Sequence, residues 1–305
     1  MRFDLHSTAV TAVILGSTLA LTVASGPAAG QGAACNALPD HADLTDALDA
    51  AVAENNGGLA NDMWASIVNR DGIVCAVTFS GGDRGDQWPG SRVISAQKAN
   101  TANAFSLPVG AGGIDGLALS TANLWTPVQP GGSTFINGTT PPPGPPSRPF
   151  PGGSLFGLQF SNPVNIDGAY AGPAEEFGQE EDPMVDGRIG GVNVFGGGLA
   201  LYDAGGDLLG AVGVSGDTSC TDHNVAWRVR DALGLDFVPA GVGPLGGTVA
   251  DNIIFDVVDT GDGNAVSPSG FGHPECDAGA IDANEAVIEA CPPDDGTTEG
   301  CVAAD

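Results

Sequence analysis

The sequence predicts an α+β domain in which β-hairpins and amphipathic helices alternate along the chain. Two hairpin patterns, at 64–79 and 196–214, combine β-branched or glycine-rich apolar runs with short polar turns. A helical pattern precedes the first hairpin at 44–55, and another follows each hairpin, at 92–105 and 222–233. This alternation of strand pairs and helices is the basis of the predicted fold class.

The first helix, 44–55, ends at consecutive glycines, and its apolar residues recur at helical spacing. The runs Trp64 to Val68 and Ile73 to Phe79 then flank Asn69-Arg70-Asp71-Gly72. An Asp-Gly pair between two β-branched runs is a strong hairpin signal. We therefore expect the sheet to begin here.

The second helix, Arg92 to Phe105, carries Lys98, which is the single lysine of the 305 residues. One stripe of this helix contains Ile94, Lys98, Thr101 and Phe105, because their spacing follows the helical repeat. A lone ammonium group on a stripe with apolar neighbours indicates a buried or pocket-edge lysine. Lys98 is thus the first candidate functional residue.

The second hairpin pairs 196–202 with 208–214, and glycines at 210 and 213 permit close approach of another backbone or of a ligand. A loop containing Ser215 and Gly216 leads into the third helix, 222–233. On that helix His223, Trp227 and Arg230 form one stripe.

The chain is organised as one domain, 36–240, with a long insertion and a C-terminal extension. The insertion, about 109–190, is rich in Gly and Pro, and its most strand-like part is 155–160. It is expected to lie over the surface. The extension, 241–305, is read as an acidic, Cys-containing coil with one strand at 252–258.

Residues 1–30 have the features of a secretory signal peptide: Arg2, an apolar stretch and small residues for cleavage. The six cysteines, all after this segment, favour disulfides in an oxidising compartment. We therefore expect a secreted or periplasmic protein without membrane insertion after cleavage. Lipoprotein anchoring at Cys35 is disfavoured because about ten residues separate that cysteine from the apolar stretch. No Cys-x-x-Cys pair is present and His is scarce, so spacing gives no convincing zinc cluster.

The chain is strongly acidic, with nine Lys plus Arg against 37 Asp plus Glu and a formal net charge of -28. Such a surface repels the phosphates of nucleic acids and anionic lipid headgroups. Nucleic acid and membrane surfaces are therefore excluded as principal partners.

Three segments together carry a resemblance to a known family. They are Asn69-Arg70-Asp71-Gly72 in the first hairpin, Lys98-Ala99-Asn100-Thr101-Ala102 on the second helix, and 210–216 followed by Asp222 and Val225-Ala226. This combination resembles the GlcG/HbpS-like haem-binding (haem-degrading) family over about 42–108 and 190–235. The resemblance implies a mainly antiparallel sheet flanked by helices, of the profilin-like or PAS-like kind, and a homo-oligomer. It also implies haem as cofactor, with cobalamin as the rival ligand.

Haem requires an apolar slot, a donor for iron and partners for two propionates. Lys98 is a candidate for pairing with a propionate or for ligating iron, and the alternative is an ion pair with a nearby carboxylate. Thr101 and His223 are the candidate metal ligands. The alternative for Thr101 is a hydrogen bond from its hydroxyl to a carbonyl of its own helix, and the alternative for His223 is a structural role. Free N–H groups after Ser215 and Gly216 are candidates for a propionate. Arg230 is another propionate candidate, and Phe105 a ring to stack on the macrocycle.

The leading hypothesis is a secreted protein that sequesters haem or its iron, with slow oxidative haem degradation as a secondary activity. A second hypothesis, from a different class, is an extracytoplasmic oligomeric interaction protein whose insertion covers the pocket. A corrinoid-binding module is an alternative of the same fold, and an enzyme acting on a small organic acid is weaker.

Overall fold

A computed structural model describes residues 35–111, 116–129, 155–243, 251–259 and 265–290. The expected signal peptide, the polyproline part of the insertion, Cys291 and Cys301 lie outside these ranges. The helices are α1 His41–Ala53, α2 Ser91–Phe105, α3 Leu158–Ser161, α4 Ile166–Ala169, α5 Ser219–Ala232 and α6 Ala278–Ala290. The strands are β1 Trp64–Asn69, β2 Val74–Phe79, β3 Leu117–Ala118, β4 Gly198–Tyr202, β5 Leu208–Ser215, β6 Ala240–Gly241, β7 Val258–Asp259 and β8 Ala265–Val266.

The central sheet has the strand order β2-β1-β5-β4, and every neighbouring pair is antiparallel. Both predicted hairpins are present, β1–β2 and β4–β5. The two hairpins join through β1 and β5, with Trp64 opposite Ser215 and Asn69 opposite Gly210. The predicted α+β fold with a mainly antiparallel sheet flanked by helices is therefore confirmed.

Helices cover both faces of this sheet because its strands alternate buried side chains between the faces. Ala65 and Ile67 face a core cluster that includes Leu44 of α1 and Val225 of α5. Trp64 and Val68 face the opposite cluster, which includes Ala96 and Ala99 of α2. The helices that carry the candidate site residues, α2 and α5, therefore lie on opposite faces of the sheet.

The expected strand-like run 155–160 and the expected strand 252–258 were both wrong. Residues 158–161 form the short helix α3, and 252–257 run as irregular chain before β7. The C-terminal extension is also more ordered than a coil, because α6 packs against α5. Its buried residues Ala280, Ala283 and Val287 give it an apolar face that the acidic composition concealed.

The insertion does more than lie over the surface. Asp182 is buried, and its carboxylate forms an ion pair with the buried Arg92 of α2. Leu117, Leu119 and Leu124 are buried in a further apolar cluster. Within the described residues, no helix is long and apolar enough to cross a lipid bilayer.

Two disulfides lie among the described cysteines. Cys35 is bonded to Cys75, and Cys220 to Cys276. The second joins the start of α5 to the C-terminal extension and so links that extension covalently to the domain.

Candidate functional site

The loop between β5 and α5 forms a pocket of backbone N–H groups, and the chain's own Asp222 fills it. Thr218 caps α5, since its side chain accepts a hydrogen bond from the N–H of Thr221. Asp222 Oδ1 then accepts from the N–H groups of Gly216, at 3.0 Å, and of Asp217, at 2.8 Å. The N–H group of Gly216 expected to receive a propionate is therefore already bonded to a carboxylate.

Lys98 completes this arrangement from the opposite face of the sheet. Its Nζ lies 2.6 Å from Asp222 Oδ2 and donates to the carbonyl of Val214 at 2.9 Å. The lysine is 1 % exposed and Ser215 beside it is also buried. Lys98 thus ties α2 to the end of β5 and the start of α5, as in the ion-pair alternative.

Burial penalises both charges of this pair. It raises the pKa of Asp222 to about 6, against the opposing effects of Lys98 and of the two N–H donors. It likewise lowers the pKa of Lys98, against the attraction of Asp222. Each partner therefore depends on the other to stay ionised inside the protein.

Thr101 and Phe105 lie further along α2. The Thr101 hydroxyl donates to the carbonyl of Gln97 at 2.7 Å and accepts from the N–H of Asn193 at 3.0 Å. This is the back-bonding alternative, with an additional contact to the chain before β4. Phe105 is half-buried and packs against the apolar cluster that contains Leu117 and Leu119.

The predicted stripe on α5 is a stack of side chains. The rings of His223 and Trp227 have centroids 6.0 Å apart, and the guanidinium carbon of Arg230 lies 4.5 Å from the Trp227 ring centroid. His223 and Arg230 are fully buried. The stripe is therefore held by aromatic and cation–π contacts as well as by its helix.

Residues 251–253, which we call the covering segment, bind the polar ends of this stripe. Arg230 forms a bidentate ion pair with Asp251, at 2.6 and 3.1 Å. His223 Nε2 accepts from the N–H of Ile253 at 3.1 Å and lies 3.0 Å from Oδ1 of Asn252. The extension thus closes the face of α5 on which two candidate haem contacts lie.

Two buried polar atoms of this stripe have no hydrogen-bond partner among the described residues. They are Nδ1 of His223 and Nε of Arg230. Nε2 of His223 faces both a donor, the N–H of Ile253, and an acceptor, Oδ1 of Asn252, so these contacts are compatible with either neutral tautomer. Burial lowers the pKa of His223 to about 3, so the ring is neutral at pH 7.

The sequence-predicted residues are therefore not brought together in one site. Lys98 and Gly216 contact Asp222, whereas His223 and Arg230 contact the covering segment. Ser215, Thr101 and Phe105 contact neither Asp222 nor that segment in the hydrogen bonds and packing described above. The sequence did not predict that Asp222 accepts from the N–H groups of the loop and pairs with Lys98. It did not predict the covering segment either. The Asp at the first turn of α5 was a usable signal, since acidic side chains there bind free N–H groups. The covering segment carried no comparable signal.

These features define a three-layer α+β protein with a buried lysine and a stacked histidine–tryptophan–arginine stripe. The family model described as "Haem degrading protein HbpS-like" matches residues 40–230. Since the match covers more than half of the chain, the protein belongs to this HbpS-like family.

Two solved structures are similar to parts of this chain. A Klebsiella pneumoniae protein, ORFY, of the DUF336 family, is 20 % identical, with a TM-score of 0.37; the alignment covers 66 % of this chain and 88 % of that one. A "PduOC:Heme Complex" is 22 % identical, with a TM-score of 0.39, and covers 65 % of this chain and 96 % of that one. No curated protein gives a match to this chain.

The buried histidines predict a loss of stability on acidification. Burial lowers the pKa of His223 to about 3 and that of His273 to about 4, below the ordinary value of 6.5. The unfolded chain therefore binds protons that the folded chain does not, and the stability present above pH 6.5 is lost as pH falls toward these folded values. Each histidine contributes a slope of up to about 1.4 kcal/mol per pH unit.

The measurement is the free energy of unfolding in urea at pH 7 and pH 5, for the natural chain and for His223→Gln. The glutamine oxygen keeps an acceptor near the N–H of Ile253 but does not titrate. The variant should lose less stability between the two pH values. The opposing titration of Asp222, whose raised pKa favours the folded state as pH falls from 6 toward 4, is common to both proteins and cancels. If both proteins lose the same free energy of unfolding between pH 7 and pH 5, the titration of His223 does not contribute to the acid-induced loss of stability.

Proposed function

We propose that this protein binds haem. The observation that carries the proposal is the HbpS-like family match over residues 40–230, which includes α2, β4, β5 and most of α5. The disulfides and the apolar segment at the start of the chain support action outside the cytoplasm. Sequestration of haem or its iron is the primary role, and slow oxidative degradation is a secondary one.

The residues present fit haem only in part. Lys98, Thr101 and Gly216 have their polar atoms engaged within the chain, so the Asp222 cluster offers little to a ligand. The α5 stripe fits better, because the partners of His223 Nε2 and of the Arg230 guanidinium lie mainly on the covering segment and not on the central sheet. We therefore favour His223 as the iron ligand and Arg230 as the propionate partner. Direct contact with haem stays a prediction for the other candidate residues, which are Lys98, Thr101, Phe105, Ser215 and Gly216.

Haem, when bound, would supply an iron centre and its redox chemistry, while this chain's residues hold and shield it. Release of the covering segment would remove Ile253 and Asn252 from His223 Nε2 and Asp251 from Arg230, whose guanidinium would keep its bond to the carbonyl of Ala200 at 3.3 Å. Trp227, between His223 and Arg230, would offer its ring to the macrocycle. Binding therefore requires displacement of Asp251, Asn252 and Ile253.

The test is a hemin titration of the oxidised chain from Gln31 onward, followed by Soret absorbance. The natural protein should show saturable binding, and His223→Gln should weaken it by at least about tenfold, because a ligand to iron is lost. His273→Gln is the matched control, since His273 is also buried but lies outside the α5 stripe. It should bind as the natural chain does.

The titration also has contradicting outcomes. Equal affinities in both variants would exclude His223 as the ligand, and the same series with Lys98→Ala and Thr101→Ala would then identify another donor. Loss of the Soret band with reductant and oxygen would establish degradation. A stronger response to aquocobalamin than to hemin would favour the corrinoid alternative.

A second candidate function is an extracytoplasmic interaction protein that retains the family fold with a covered pocket. The contacts of the covering segment with His223 and Arg230 favour it, because they occupy both side chains in a fully buried setting. This protein would remain colourless in hemin although folded. Sedimentation analysis would then show a homo-oligomer or a partner complex.

A further inference from the structure

A histidine and a disulfide come together where the C-terminal extension meets the start of α5. The sulfurs of Cys220 and Cys276 and a ring nitrogen of His273 all lie within 4.8 Å of one another. Cys220 and His273 are buried, whereas Cys276 is exposed. The fold brings these residues together across a separation of 56 positions between the cysteines, which the spacing in the sequence did not reveal.

The His273 ring is oriented as metal-binding imidazoles usually are. Its Nδ1 lies 2.7 Å from the carbonyl of Pro274, and its Nε2 lies 2.8 Å from the hydroxyl of Ser219. The carbonyl only accepts, so Nδ1 carries the proton of the neutral ring and Nε2 accepts from the Ser219 hydroxyl. Nε2 is thus the nitrogen able to bind a metal in place of that hydroxyl, while Nδ1 donates to the protein, the arrangement that fixes ligating histidines.

We propose that reduction of the Cys220–Cys276 disulfide converts this corner into a Cys2His site for a thiophilic d10 cation such as Zn²⁺. A dithiol reductant supplies two electrons: the S–S bond breaks, two cysteine thiols form, and the dithiol becomes its own disulfide. Metal binding then releases the thiol protons to solvent and forms two metal–sulfur bonds. The proposal is separate from haem binding, which involves the other side chains of α5.

The distances suit this ligand set. Zinc–sulfur bonds of about 2.3 Å place two tetrahedral thiolates roughly 3.8 Å apart. The Cα atoms of the two cysteines are 6.0 Å apart, and Cys276 is exposed, so widening the distance between the two sulfurs moves a side chain at the surface. Three protein ligands leave a fourth position for water, as in open zinc sites. Exposure of Cys276 also provides the entry path that a metal requires.

The start of α5 would favour the thiolate form of Cys220. This residue lies in the first turn of a helix, where the backbone dipole stabilises negative charge. The N–H group of Cys220 already points to Sγ of Cys276, at 3.1 Å. The sulfur of Cys276 therefore already has a backbone donor, and Cys220 lies in the first helical turn.

The test is a Co²⁺ titration of the full mature chain, oxidised and after reduction with excess dithiol followed by its removal. The oxidised protein should show no thiolate-to-cobalt charge-transfer band. The reduced protein should show this band with about one equivalent of Co²⁺, with the visible bands of a tetrahedral ion, and Zn²⁺ should displace it. Reduced His273→Ala and reduced Cys276→Ser should each bind at least about tenfold more weakly.

Cys75→Ser is the matched control, since it removes a cysteine of the other disulfide and should leave the band intact. Near-ultraviolet circular dichroism of each reduced protein reports whether the fold persists. The proposal is overturned if the reduced chain loses its fold, if it binds no Co²⁺ saturably, or if His273→Ala and Cys276→Ser bind as tightly as Cys75→Ser.

Discussion

Replacing Lys98 by methionine should lower the free energy of unfolding by about 3–5 kcal/mol at pH 7, because it leaves a buried carboxylate without its counterion. Asp222 is 3 % exposed, and the lysine is its ion-pair partner at 2.6 Å. Methionine keeps most of the side-chain volume, so the loss reports the charge and not a cavity. Urea unfolding at pH 7 is the measurement.

The double variant Lys98→Met with Asp222→Asn is the matched control. The asparagine oxygen retains the N–H bonds from Gly216 and Asp217 but carries no charge. This double variant should recover most of the lost stability, since replacing both members of a buried pair is far less costly than replacing one. If Lys98→Met lowers the free energy of unfolding by less than about 1 kcal/mol, the ion pair does not stabilise the loop appreciably.

Substituting Gly213 by alanine should destabilise the protein by about 3 kcal/mol or more, at the upper end of overpacking effects. A Cβ atom at this position would lie 2.0 Å from the carbonyl oxygen of Ser95 and 2.5 Å from the nitrogen of Ala99. Both atoms belong to the α2 backbone, so relief requires the whole helix to move away from β5. Thermal or urea unfolding measures the effect.

Gly90→Ala is the control for this substitution. Gly90 precedes α2 with φ −67° and ψ −24°, an ordinary helical conformation, and no atom lies within 4 Å of its added Cβ. The control should be neutral or slightly stabilising, since alanine restricts the unfolded chain. Comparable losses in both variants would show that the close contact of α2 with β5 is not the cause.

The hairpins and the three long helices of the domain were predictable because their signals are local. The Asp-Gly turn after β1 and the helical stripes of α2 and α5 are read within a few residues of sequence. The glycine at 213 was also correctly expected to permit close approach, although a helix backbone approaches it and no ligand is needed.

The partners of the candidate residues could not be predicted in the same way. Asp222 pairs with Lys98 across 124 positions of sequence. Asp251, which pairs with Arg230, lies in an irregular segment whose course has no local sequence signal. The run 252–258 is apolar enough to resemble a strand. At its start, however, the Asn252 side chain bonds to His223 and to Asn284 of α6, and the N–H of Ile253 bonds to His223. Non-local packing overrides local propensity at these positions.

The burial of Arg92, Lys98 and Arg230 has a kinetic consequence. These are three of the nine cations in the chain, and each is neutralised by its own aspartate inside the protein. Solvent therefore meets an excess of carboxylates with few positive groups among them. An anionic ligand approaches against this field, so its arrival is slowed at low ionic strength and is accelerated by added salt, the reverse of electrostatic steering.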